Sequence, residues 1–226
     1  MPKDNGAVKK SKVSPEAKIN RLPDEAAAVS GDVRIAVRCK GITPLLMNPL
    51  THDVLMSLWT KEKPSKTAPR PTIQEAAEKK ANAYKDADGN YFIPVSALHA
   101  CLKHAGRDVR LDGRKQVSTA TSTKMSSFMT LDATQFTLEG LDPERPWEAD
   151  ARPGKNPNGG EAVCIVRPRF DTWEFTANIT IFTSEIAEAT IRELFDKAGR
   201  RAGLLDFRPQ KGGVFGQFVV EEWKRL

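Results

Sequence analysis

The pattern of apolar residues predicts an α+β chain in the order β-α-β-β-α-β, expanded by large insertions. Two alternations carry the strands. Val33, Ile35, Val37 and Cys39 alternate with Arg34, Ala36 and Arg38, and Trp173, Phe175, Ala177, Ile179 and Ile181 alternate with Thr172, Glu174, Thr176, Asn178 and Thr180. Period two marks a half-buried strand. Two helical stripes complete the picture: Leu98, Cys101, Leu102 and Ala105, stopped by Gly106, and Ile191, Leu194, Phe195 and Ala198. Residues three and four apart share one helix face.

In chain order, residues 1–30 mix Lys3, Lys9, Lys10, Lys12 and Lys18 with Pro2, Pro15 and Pro23 and show no apolar period. They are expected to be a disordered basic tail. The first strand, 33–39, ends at Gly41 and Pro44, and apolar Leu45-Leu46-Met47 leads to a short helix from Asp53 to Trp59. Three prolines and four basic residues make 61–71 a loop. Thr72 with Glu75 forms a capping box for a helix over 72–85, with Ile73, Ala76, Ala77, Ala81 and Tyr84 on one stripe. Asp88-Gly89 is a turn, Tyr91-Phe92-Ile93 a brief apolar run closed by Pro94, and Ser96 a cap for the helix at 96–106.

Residues 107–130 are basic and then rich in Ser and Thr, the composition of a functional or disordered loop. A strand is expected at 130–138, and the Pro/Gly-rich, charged stretch 140–160 is the clearest insertion. Val163 to Phe170 forms a partner strand before the one at 172–182, with Arg167 and Arg169 at its end. Ser184 caps the helix reaching 199, and Val214 to Trp223 is the last strand. Without the insertions at about 41–90, 107–130 and 140–160, the order is that of a ferredoxin-like or modified RNA-recognition-type unit. In such a unit two helices cover one face of an antiparallel sheet. One domain over 31–226 is therefore expected.

Composition narrows the function. The 226 residues carry 35 Lys and Arg against 29 Asp and Glu, a net charge of +6 that permits a nucleic-acid partner without arguing for one. No stretch approaches the roughly 20 apolar residues of a membrane span, and no apolar block follows the polar start, so neither a membrane partner nor a secretory signal is expected. Cys39, Cys101 and Cys164 are scattered, with neither disulfide nor zinc spacing. The cytoplasm is the expected location.

Catalytic motifs are lacking. The chain has no GxxxxGK[ST], no GxGxxG between strand and helix, no GxSxG and no HExxH, so no cofactor and no metal are expected. His99 and His104 stand five apart, off a common helix face. His52-Asp53 is a candidate acid/base pair, although Asp53 equally suits a helix cap. These residues make no good case for an enzyme.

Basic residues are the remaining resource. Arg34, Arg38 and Lys40 stand on the polar face of the first strand, Arg107, Arg110, Arg114 and Lys115 crowd one loop, and Arg200, Arg201, Arg208 and Lys211 another. The segment Arg208-Pro209-Gln210-Lys211-Gly212-Gly213-Val214-Phe215-Gly216 reads either as a phosphate-binding turn exposing N–H groups or as an ordinary glycine turn into a strand. Charges of this kind hold the phosphates of a single strand, while apolar and aromatic side chains such as Phe215 meet its bases. The aromatic signature of base-specific RNA-recognition domains is missing, which favours backbone-led binding. Solvated surface arginines remain the bland alternative.

Phe92-Ile93-Pro94-Val95-Ser96-Ala97-Leu98-His99-Ala100-Cys101-Leu102 resembles the segment leading into the first helix of RAMP-superfamily proteins, in the version of the backbone subunits of CRISPR effector complexes. The glycine common inside that helix is Ala100 here. Gly41 to Leu46 is similar to the family's exit from the first strand, and Gly212 to Phe218 to its C-terminal glycine-rich loop. The resemblance implies a non-catalytic protein that assembles head-to-tail with copies of itself along single-stranded RNA, or DNA, with other effector subunits as further partners. It equally fits a stand-alone relative from a phage or mobile element. A thumb that contacts the strand and the neighbouring subunit would come from the insertions. The alternatives are a metal-independent endoribonuclease of the same fold, with His52 or His104 as base, and a viral structural or assembly protein.

Overall fold

The alternation from Val33 to Cys39 becomes the central strand of the largest sheet, because its apolar residues have two helices to lie against. The computed structural model describes residues 31–50, 52–61, 69, 71–81, 84–111, 113, 115–155, 160 and 162–226. The expected tail at 1–30, most of the loop at 61–71 and Arg114 lie outside the described residues, as does the side chain of Asp53.

The first half of the chain forms β1 (Asp32–Gly41), β2 (Leu45–Leu46), α1 (His52–Thr60), α2 (Ile73–Ala81), β3 (Phe92–Pro94) and α3 (Val95–Ala105). Then come β4 (Arg110–Leu111), β5 (Lys115–Gln116), β6 (Met129–Leu131), β7 (Gln135–Thr137), β8 (Glu148–Lys155) and β9 (Ala162–Phe170). The chain closes with β10 (Glu174–Phe182), α4 (Glu188–Lys197) and β11 (Phe218–Arg225).

β11, β1, β10 and β6 lie side by side in that order, each neighbouring pair antiparallel. Val37 stands opposite Ala177 on one side and Trp223 on the other. Helices α3 and α4 supply Leu98, Cys101, Leu102, Ile191, Leu194 and Phe195 to a core shared with Ile35, Val37, Cys39, Phe175, Ile179 and Ile181. Each such large side chain contributes roughly 1.5–3 kcal/mol on burial. The fold is mixed α+β, and its large sheet shows the β-α-β-β-α-β succession with α3 and α4 as the helices.

Inside the insertions the structure differs from the expected elements in instructive ways. The segment 140–160 contains a long strand, β8, paired with β9 in a second sheet of order β2-β9-β8. Pro153 and Gly154 hide it in the sequence. As a sheet edge, β8 has room for a residue without an N–H. Val163 to Phe170 accordingly pairs with β8 and β2, not with β10. The strand expected at 130–138 is two pieces: β6 joins β10, while β7 pairs with β3. They part at Asp132, whose carboxylate takes the hydroxyls of Thr130 and Thr180 at 2.7 Å each.

The capping box is present, with Thr72 N donating to Glu75 at 2.7 Å and Glu75 N to the Thr72 hydroxyl at 3.2 Å. The helix it starts, α2, buries only Ala77 and Ala81, leaving Ile73 exposed. Neither Ser96 nor Ser184 caps a helix. Pro94, with its preset φ, precedes α3, and the chain after Ser184 first makes a turn, so α4 begins behind Ala187. The polar segment after Gly106 is anchored rather than loose. Val117, Met125, Phe128 and Met129 are buried, and Ser118 N donates to Gly106 O at 3.0 Å. The last strand starts at Phe218 instead of Val214, because the residues before it are spent in a turn.

Candidate nucleic-acid interface

Three clusters of cations were expected, and the structure joins parts of two of them. Asp108 ties the turn after α3 to the end of α4: its carbonyl accepts Lys197 Nζ at 2.7 Å, and its carboxylate accepts Arg201 Nη1 at 3.2 Å. Arg107 and Arg208 both stand close enough to His104 for their charges to act on its imidazole. Burial first, and then the charge of Arg107, hold the His104 pKa below its ordinary value. His104 Nδ1 and Arg107 Nε are buried atoms with no hydrogen-bond partner among the described residues. Arg200, Arg201 and Lys211 are exposed in the segment that follows α4. Arg110 and Lys115 stand on the small β4–β5 hairpin, both exposed.

The first-strand cluster lies elsewhere. Arg34, Arg38 and Lys40 alternate with the core residues of β1, so they occupy the sheet face opposite α3 and α4. Two of them are already neutralised. Arg38 Nη2 lies 2.5 Å from Glu174 and its Nε 3.6 Å from Glu221, and Lys40 Nζ lies 3.5 Å from both carboxylates. The hydrogen bond from Arg38 holds the Glu174 carboxyl below its usual range. Only Arg34 is without an ion pair among the described residues.

The glycine-rich segment is not the expected cradle of free N–H groups. Lys211 N and Gly213 N donate to Arg208 O, Gly212 N to Pro209 O, Phe215 N to Phe207 O and Gly216 N to Pro44 O, all at 2.8–3.0 Å. The glycines serve packing. A Cβ on Gly213 would lie 1.7 Å from Phe207 O, and one on Gly216, where φ is 71°, would lie 2.1 Å from Leu204 O. Phe215 is not open to a base: it is 7% exposed, and the Arg152 guanidinium sits 4.5 Å above its ring. What the segment does present is Lys211 and the free end of Arg208. Arg208 donates Nε to Gln210 and Nη1 to Leu205 O, and its Nη2 has no partner among the described residues.

Beside Arg208 opens a cleft of about 220 Å³. Its floor is Ala97 and Ala100 on α3, and its walls are Asn48, Tyr84, Asp206 and Arg208. Sequence reasoning missed this grouping, because Asn48 and Tyr84 reach it from the insertion after β1. Behind Asp206 lies Arg167, 6% exposed, which donates to the Asp206 carboxylate and stacks 4.7 Å from the Phe207 ring. Lys80 joins them by donating to Val166 O at 2.7 Å. Burial, and then the neighbouring charge of Arg167, push the Lys80 pKa down. Burial and the charge of Asp206 push the Tyr84 phenol up.

Of the catalytic candidates, His52 is exposed on α1. Cys39 and Cys101 lie in the core, and burial raises the Cys101 thiol to about 12. Among the described residues, no group of three or more His, Cys, Asp or Glu is placed to hold a metal, and no helix is long and apolar enough to cross a membrane.

No protein-family model matches the chain. No curated protein matches it either. Among solved structures it is similar to a chain in the cryo-EM structure of the Type III-B Cmr-beta bound to cognate target RNA. That match has a TM-score of 0.50 at 11% identity and covers 87% of this chain but 61% of the other. At that identity the likeness is one of fold.

Proposed function

We propose that this chain binds single-stranded nucleic acid, RNA ahead of DNA, through its phosphate backbone, and assembles along the strand with copies of itself and with other subunits of an RNA-guided complex. One observation carries the reading: the turn after α3 and the segment 200–211 converge, with Arg107 and Arg208 beside His104, Arg201 on Asp108, and exposed Arg200 and Lys211 in the same segment. Arg110 and Lys115 extend that surface along the following hairpin. The paired Arg38 and Lys40, on the far sheet face, are not part of it. The resemblance to RAMP backbone subunits and the fold shared with a chain of an RNA-bound complex support the same reading.

Exposed apolar side chains support assembly. Leu58 and Trp59 on α1 are 66% and 85% exposed, in an insertion where a thumb is expected. The test is titration of labelled single-stranded RNA with wild type and with the Arg208→Ala/Lys211→Ala variant. Loss of two phosphate contacts lowers the slope of log K against log salt by about 1.4 and weakens binding to every sequence alike. An unchanged slope would sink the assignment of these two cations.

A further inference from the structure

We propose that the cleft between α3 and the Leu205–Arg208 segment holds one ribose of the bound strand, with Asp206 accepting the 2′-hydroxyl and Arg208 the adjoining phosphate. The inference rests on the reading above and adds which sugar the site takes.

The chemistry of the walls selects the ligand. Asp206 brings a carboxylate, which repels a bare anion and calls for a hydrogen-bond donor. Its Oδ2 accepts from Arg167 and its Oδ1 from the N–H of Phe207 at 3.0 Å. Each carboxylate oxygen has two lone pairs, so acceptor capacity remains on both. Asp206 is fixed from behind by a buried guanidinium, and its own N–H donates to Leu46 O at 3.1 Å. Two residues along, Arg208 lines the same cleft, and its Nη2 has no partner among the described residues. A carboxylate and a guanidinium in one cleft suit a hydroxyl beside a phosphate. Asn48 and Tyr84 add an amide and a phenol, and the two alanines of the floor leave space for the sugar ring.

Backbone conformation singles out the same residue. Leu205 has φ 58° and Phe207 φ 49°, so non-glycine residues adopt the left-handed region on both sides of Asp206. Such conformations persist only where the surroundings enforce them, and they collect at ligand sites. Here Arg208 holds the Leu205 carbonyl, and Phe207 O accepts the N–H of Phe215. The strained turn carries Asp206 to the cleft wall.

The test uses the full chain and three labelled homopolymers of one sequence: RNA, DNA and 2′-O-methyl RNA. Wild type should bind RNA about tenfold more tightly than either of the others, the effect of one hydrogen bond to a charged acceptor. Ala100→Leu fills the cleft from an exposed helix position. It should abolish the preference for RNA over DNA and over 2′-O-methyl RNA, with an unchanged melting temperature. Equal affinity of wild type for all three strands would overturn the ribose assignment and leave backbone binding intact. An RNA preference that survives Ala100→Leu would overturn the location. Failure to bind any strand at low salt would overturn both this proposal and the function it rests on.

Discussion

Gly216 combines a left-handed φ of 71° with a backbone oxygen 2.1 Å from where a Cβ would stand, so its role is to let the chain pass Leu204. Gly216→Ala should cost about 2–3 kcal/mol, read as a fall in melting temperature of about 2–4 °C per kcal/mol. His104 gives the molecule a pH dependence of calculable sign. Its folded pKa lies below the ordinary 6.5, so the unfolded chain takes the proton more readily. Its contribution to stability is full above about 6.5 and is lost as pH falls through the folded value. The melting temperature should therefore drop between pH 7 and 5, and His104→Gln should flatten that drop. The carboxylates of Glu174 and Glu188, held low first by their bonds to Arg38 and Arg225, act only in the more acidic range. Residue types were legible in the sequence, but their partners were not. The cations of 200–211 stand out as a run, whereas nothing in the sequence around Lys40 announces that Glu174 and Glu221 neutralise it.

At the scale of elements, α1 is the exception to the packing seen elsewhere. Val54, Leu55, Met56, Leu58 and Trp59 are all substantially exposed, so the helix exposes apolar surface that the described fold does not cover. Leu58→Ser/Trp59→Ser should leave the melting temperature within about 2 °C of wild type. In sedimentation experiments it should abolish oligomers whose length follows the added RNA. Wild-type-like oligomers would show that α1 takes no part in assembly. Strict alternation made β1 and β10 readable, and the 3.6 period made α3 and α4 readable, because each buries one face against a large core. β8 escaped because an edge strand tolerates Pro153 and needs no apolar alternation. β6 and β7 were merged because the short break between them is made by side-chain hydrogen bonds of Asp132, which leave no periodic trace.

For the whole molecule, the +6 charge matters less than its distribution. The sheet face opposite the helices carries Arg38 and Lys40 balanced by Glu174 and Glu221, while the edge between α3, the end of α4 and the 200–211 segment gathers cations near buried nitrogens of His104 and Arg107 that have no partner among the described residues. Asp108 pairs with Arg201 there, while Arg107, Arg200, Arg208 and Lys211 have no ion pair among the described residues and are the charge a polyanion would meet. The α+β class and the order of its main elements were legible from periodicity. The cleft was not, since it needs Asn48, Tyr84, Ala100 and Asp206 brought together from four distant parts of the chain. The central claim is backbone-led binding of a single strand, and equilibrium binding to homopolymer RNA across a salt series tests it most directly. The expected result is that log K falls linearly with log salt, by about 0.7 per phosphate contact, with similar affinity for different homopolymers. Absence of binding at the lowest salt, or an affinity indifferent to salt, would contradict it.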